Sequence, residues 1–136
     1  MFPKLLKIPI TASNKEIGNI GEDVASKYLQ RHGYKILKRN YKPFNHEIDI
    51  IARKKRKVYF VEVKTRSANP QSQYYRPPRD AVKHAQRKNI ISAANVYRKV
   101  HYTESYSYAI MEVMLEKTEK YLKISDISFI PSAFFA

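Results

Sequence analysis

Apolar positions recur at helical spacing from Ile17 through Ile20, Val24, Ala25, Tyr28 and Leu29, and Gly33 stands where a glycine would close such a helix. Tyr34 to Leu37 predicts a short strand that leads to a turn near Pro43. Two stretches rich in β-branched residues follow, Glu47 to Arg53 and Val58 to Arg66, and Lys54 to Lys57 between them suit a hairpin loop. Ser67 to Pro78 carries three prolines among Asn, Ser and Gln, and predicts a loop. From Asp80 to Arg98 the residues Ala81, Val82, Ala85, Ile90, Ala93, Ala94 and Tyr97 fall on one side of an amphipathic helix. Tyr106 to Leu115 and Tyr121 to Ile127 predict two more strands, with Glu116 to Lys120 turning between them. The order is α-β-β-β-α-β-β. Runs of strands, rather than strict alternation with helices, predict a mixed central sheet flanked by helices, in the α/β to α+β range.

Nothing in the composition breaks this picture into parts. The 136 residues contain no repeat, low-complexity tract or linker, so the expectation is a single domain over 1–136, with an irregular N-terminal segment over 1–14. No apolar run exceeds four residues, and Met1 to Ile10 is interrupted by Pro3, Lys4, Lys7 and Pro9. A membrane span or secretory core is therefore not expected, and a soluble cytoplasmic protein is. The absence of cysteine excludes thiolate zinc sites, disulfides and cysteine nucleophiles. Charge changes the picture most: 26 Lys and Arg against 12 Asp and Glu leave a formal +14, which points to a polyanionic partner. There is no P-loop, no GxGxxG and no Cys/His pattern, so nucleotide hydrolysis and zinc-finger readings fail.

Charge also occurs where core strands should be apolar. Asp49 lies within the run Ile48 to Ala52, and Glu62 and Lys64 lie within Phe60 to Thr65. A buried, unpaired carboxylate is costly, so such residues need a partner or a metal. If the hairpin is centred on Lys55 and Arg56, paired residue numbers sum to 111 and Asp49 faces Glu62. Directly opposed residues hold their Cβ atoms about 5 Å apart. Lys64 shares a face with Glu62, and its cross-strand counterpart is Glu47. Two readings stay open at this point. Either a divalent cation with oxygen ligands, Mg²⁺ or Mn²⁺, relieves the carboxylate repulsion, or an edge hairpin shows solvent-facing charges with a Glu47–Lys64 ion pair.

The spacing Asp49-x₁₂-Glu62-x-Lys64 resembles the PD-(D/E)XK nuclease superfamily. The wider set Gly18-x-x-Gly21-Glu22, Gly33-Tyr34, Asn40-Tyr41, Glu47-Ile48-Asp49 and Phe60-Val61-Glu62-Val63-Lys64-Thr65-Arg66 resembles the YraN-type family of predicted endonucleases, which is similar in fold to archaeal Holliday junction resolvases. The resemblance implies a restriction-endonuclease-like αβββαβ core and Mg²⁺- or Mn²⁺-dependent hydrolysis of DNA, branched or structured DNA included. It implies Asp49, Glu62 and Glu22 as metal ligands and Lys64 as the catalytic lysine. Glu47 is either a carboxylate behind the ligands or the partner of Lys64. Gln86 falls where many relatives carry a lysine, and a polar group there can orient water or phosphate. Gly18 and Gly21 suggest close backbone approach or a helix start beside Glu22.

Basic residues supply an expected DNA surface. Arg79, Lys83 and Arg87 recur every four residues and share a helical face, flanked by Arg76, His84 and Lys88. Arg66 joins this set, Tyr74 and Tyr75 precede it as candidates for stacking on bases, and Arg53 to Lys57 form a second cluster at the hairpin tip. The expected function is therefore a metal-dependent endonuclease acting on DNA. The alternatives are a nucleic-acid-binding module with a weak or inactive nuclease site, and an interaction protein. The apolar end Phe129, Ile130, Phe134 and Phe135 either covers the core or joins two copies in a homodimer.

Overall fold

The computed structural model describes residues 7–67, 69–75 and 84–135. In chain order the elements are β1 (Ile8–Pro9), α1 (Asn14–Arg31), β2 (Lys35–Tyr41), β3 (Ile48–Lys54), β4 (Lys57–Ser67), α2 (His84–Val100), β5 (Ser105–Lys117) and β6 (Tyr121–Phe134). The αβββαβ order expected for the core is present, with β1 and β6 added at one side.

Helix α1 starts earlier than its apolar periodicity indicates because Ser13 and Glu16 form a capping box, each side chain accepting the other's backbone N–H. It ends as expected. Gly33 takes φ 87°, its N–H reaches Gln30 O at 3.1 Å, and Tyr34 N–H reaches Leu29 O at 2.9 Å. Helix α2 is described from His84, so the expected first turn over Asp80 to Lys83 lies outside the described residues.

The strands form one mixed sheet in the order β1-β6-β5-β4-β3-β2. Among the described strands only β4 and β5 pair in parallel, and the chain between them, α2 included, makes the crossover that parallel neighbours require. The helices cover opposite faces. Val24, Ala25 and Leu29 of α1 pack with Ile50, Ala52, Val61, Met111 and Val113. Ile90, Ala93, Ala94 and Tyr97 of α2 pack with Ile51, Val58, Phe60, Tyr108 and Ile110. Burial on both faces explains why Ile48 to Ala52 is buried at every position.

The structure extends or corrects several sequence expectations. The segment expected to be irregular holds β1, whose Ile8 is buried and pairs with Leu122. β2 continues to Tyr41, with its register shifting between Ile36 and Lys38. β6 continues to Phe134, because Phe134 stacks on Tyr108 (centroids 5.1 Å apart) and Phe129 meets Tyr34 edge-on. Phe129 and Phe134 thus cover the core on its two faces, while Ile130 and Phe135 are exposed. Among the described residues, no helix is long and apolar enough to cross a membrane.

Candidate active site

The β3–β4 hairpin has the register expected from its centre, from Lys54↔Lys57 to Ile50↔Val61. The ladder stops there. Beyond it Asp49 Oδ2 accepts the backbone N–H of Val63 at 2.8 Å, so the first carboxylate itself takes a donor that the neighbouring strand no longer uses. Asp49 and Glu62 are both buried, and they lie close enough for the charge of Asp49 to raise Glu62. Two buried carboxylates this close resist ionising together, and the Lys64 ammonium offsets that repulsion only in part.

The local electrostatics follow from this crowding. Burial first, and then the charge of Asp49, push Glu62 up to about 8, although Lys64 opposes the shift. Asp49 is also raised, mainly by burial, against the lowering effects of Val63 N–H, Glu62 and Lys64. On α1, Glu22 is pushed up to about 7 by burial and then by the charges of Asp49 and Glu47. Arg39 opposes that shift from 3.8 Å, while making its closer bond, 2.8 Å, to Asp23.

Lys64 Nζ lies 3.3 Å from Glu62 Oε2 and donates to Gln86 Oε1 at 3.1 Å. Gln86 in turn donates through Nε2 to Glu62 Oε2 at 2.6 Å. This closed triangle takes the place of a Glu47–Lys64 pair, one of the two alternatives for Glu47, since the ladder that would have opposed them ends at Ile50–Val61. Glu47 is exposed and acts on Asp49 and Glu22 through its charge alone. Above the site a cleft of about 260 Å³ opens between α1 and β4, lined by Gly18, Glu22, Lys64 and Thr65 among others. Gly21 lets α1 approach that closely, because a Cβ there would fall 1.7 Å from Thr65 Oγ1 and 2.8 Å from Thr65 Cβ. Gly18 is different: a Cβ there would meet nothing within 4 Å.

Asp49, Glu62, Lys64 and Gln86 are therefore brought together, with Glu22 and Glu47 at the margin. Among the described residues no group of three or more His, Asp or Glu side chains converges on one point. The donor set that fits a hard cation is the Asp49–Glu62 pair, all oxygen, whose raised carboxyl groups a cation would hold ionised. Glu22 would have to approach directly or through water.

Two expected DNA contacts are corrected. Arg66 is buried and forms an ion pair with Glu112 of β5, so its guanidinium is committed inside the fold. Tyr74 is buried too, and its hydroxyl donates to the carbonyls of Ala12 and Ile10, tying the loop to the N-terminal segment. Tyr75 is half-buried beside Ser67 in an isolated bridge, Arg87 lies over the Phe134 ring, and Lys88 is exposed. Arg76, Arg79 and Lys83 lie outside the described residues. Glu112, the partner of Arg66, is a residue that the sequence expectations miss, yet a charge within Tyr108 to Leu115 is the same signal that marks Asp49.

Comparison with known proteins agrees with the motifs at the level of the family. A 127-residue match to a UPF0102 protein of Chloroherpeton thalassium is 35% identical and covers 90% of this chain and 95% of the relative. The match to a UPF0102 protein of Clostridium beijerinckii is 37% identical over 118 residues, covering 84% and 91%. A third, from Caldanaerobacter subterraneus, is 36% identical over 124 residues and covers 90% and 97%. The sequence model described as "Uncharacterised protein family UPF0102" matches residues 21–123, which span Glu22, Asp49, Glu62, Lys64 and Gln86, and the chain belongs to that family.

Proposed function

We propose that this protein is a divalent-metal-dependent endonuclease of the PD-(D/E)XK type, similar to archaeal Holliday junction resolvases, that hydrolyses phosphodiester bonds of branched or structured DNA in the cytoplasm. The observation that carries this reading is the buried Asp49–Glu62 carboxyl pair with the Lys64 ammonium 3.3 Å from Glu62. A buried acid pair that repels itself is unfavourable for stability alone and is explained by a cation it exists to hold. Mg²⁺ or Mn²⁺, when bound, supplies a Lewis acid for a phosphoryl oxygen and lowers the pKa of a bound water. Asp49 and Glu62 would hold it, Lys64 would stabilise charge developing on the phosphate, and Gln86 would keep Lys64 and Glu62 in place.

The test is nicking of supercoiled plasmid and of branched DNA in Mg²⁺, Mn²⁺ or EDTA. Lys64→Ala should keep the fold and most DNA affinity and lose about 10²-fold or more in rate, the scale of one electrostatic stabiliser. Nicking by Lys64→Ala at the wild-type rate overturns the mechanism. Gln86 favours a second reading, a nucleic-acid-binding module with an inactive site, because its amide already engages both Glu62 and Lys64. Retained DNA binding without cleavage in any metal selects that reading.

A further inference from the structure

A cleft larger than the one at the carboxylates lies elsewhere on the molecule. It occupies about 540 Å³ at the tip of the β3–β4 hairpin, against about 260 Å³ over Lys64 and Glu22. Its lining combines apolar residues (Leu37, Val58, Val100), basic residues of the hairpin tip (Arg53, Lys55, Arg56) and the rings of Tyr97, His101 and Tyr102.

The basic run at the tip divides between the two faces of the sheet. Lys54 and Lys57 lie over the rings of Tyr34 and Tyr59, which pack against the α1-side core. Arg53, Lys55 and Arg56 line the cleft on the α2 side. Arg56 lies 3.7 Å from Glu104, an acid in the same lining, while no ion pair is formed by Arg53 or Lys55 among the described residues. The turn itself is built against local preference. Lys55 holds φ 56°, a left-handed conformation that glycine or asparagine adopts at little cost and lysine does not. The turn thus sets the Lys55 ammonium at the apex of the basic cluster at a cost in backbone strain.

The aromatic side is equally specific. Tyr102 is 90% exposed and Val100 73% exposed, an unusual extent of apolar surface on a chain of this charge. The ring of His101 packs on Tyr97 at 4.2 Å between centroids, tilted by 30°, and Tyr102 follows with its ring open to solvent. An open aromatic ring beside such cations suits a ligand that is itself a flat ring joined to an anion.

We infer that this cleft binds single-stranded nucleic acid, with an unpaired base stacked on Tyr102 and its flanking phosphates on Arg53, Lys55 and Arg56. Stacking makes the site selective for unpaired over duplex segments, since bases in a duplex offer no free face. The cleft and the Glu62–Lys64–Gln86 triangle share the α2 side of the sheet, and the hairpin separates them by about 17 Å, roughly five residues of strand. A strand held at the tip can thus run along α2 to the carboxylates. The inference deepens the nuclease reading by naming the form of substrate, and rests on it for that continuation only.

Fluorescence anisotropy with labelled oligothymidylate in EDTA tests it without any cleavage. Tyr102→Ala should weaken binding about tenfold or more, the effect of removing one stacked base, and should change duplex binding far less. Lys55→Gly should raise the melting temperature by releasing the turn and still weaken binding, a combination that no purely structural role produces. Tyr102→Trp, in a chain with no other tryptophan, should bind normally and have its emission quenched by the oligonucleotide. Wild-type affinity in both Tyr102→Ala and Lys55→Gly overturns the inference. So does equal competition by tripolyphosphate for wild type and Tyr102→Ala, which would leave a plain anion site. If these variants lose binding while no metal supports nicking, the inference stands and the nuclease reading falls; nicking with unaltered binding in the variants gives the reverse.

Discussion

Burial and the neighbouring Asp49 charge push Glu62 from 4.5 up to about 8, so across that interval the folded protein holds a proton that the unfolded chain has released. Stability from this group is therefore full below pH 4.5 and falls as pH rises towards 8, opposite to an ordinary salt-bridged glutamate. Glu22, raised to about 7, and Asp49, also raised, act in the same direction. In EDTA the melting temperature should decline from about pH 5 to about pH 8, and Glu62→Gln should flatten the decline because its amide carries no titrating proton. A flat wild-type profile would mean the carboxyl pair is not held as described. Mn²⁺ competes with the same proton, so its stabilising effect should grow over that interval and vanish in Asp49→Ala.

Glycines show how one element positions the site. Gly18 and Gly21 stand one turn apart in α1, and from sequence alone both suggest close backbone approach or a helix start. The structure separates them. Gly21→Ala drives a methyl into Thr65 Cβ, which rotation of the hydroxyl cannot relieve, and should cost about 1–3 kcal/mol as overpacking. Gly18→Ala meets open space and should stabilise by up to ~1 kcal/mol through helix propensity. Thermal denaturation of the two variants checks the opposite signs. The same contrast separates what the sequence reveals from what it hides. Elements and hairpin register are legible because periodicity and turn position are local properties, and Ile50↔Val61 follows from the turn alone. What is not legible depends on where a ladder ends or what covers a loop. The Glu47–Lys64 pair does not form because pairing stops at Ile50, and Arg66 and Tyr74 read as surface residues until distant segments bring Glu112 and Ala12 to them.

At the scale of the whole molecule, the +14 charge needs an arrangement before it becomes a binding mode. Two basic regions flank α2: Arg87 and Lys88 sit beside Gln86 near its start, and Arg53, Lys55 and Arg56 line the cleft beside Tyr97 and His101 at its end. If one nucleic-acid strand spans both, each region neutralises its own phosphates. On duplex carrying a single-stranded arm, the log K versus log salt slope should shrink by about 0.9 for each duplex phosphate left without its cation, and by about 0.7 for each in the single strand. Arg87→Ala with Lys88→Ala, and Arg53→Ala with Lys55→Ala and Arg56→Ala, should each reduce the slope, and the combined variant should show the sum. The regions are separated along the hairpin by about five residues of strand, far enough for near-additive effects. Shared phosphates would instead make the combined variant no worse than the more affected parent, and the two ends of α2 would then be alternative sites for different molecules rather than two stations on one strand.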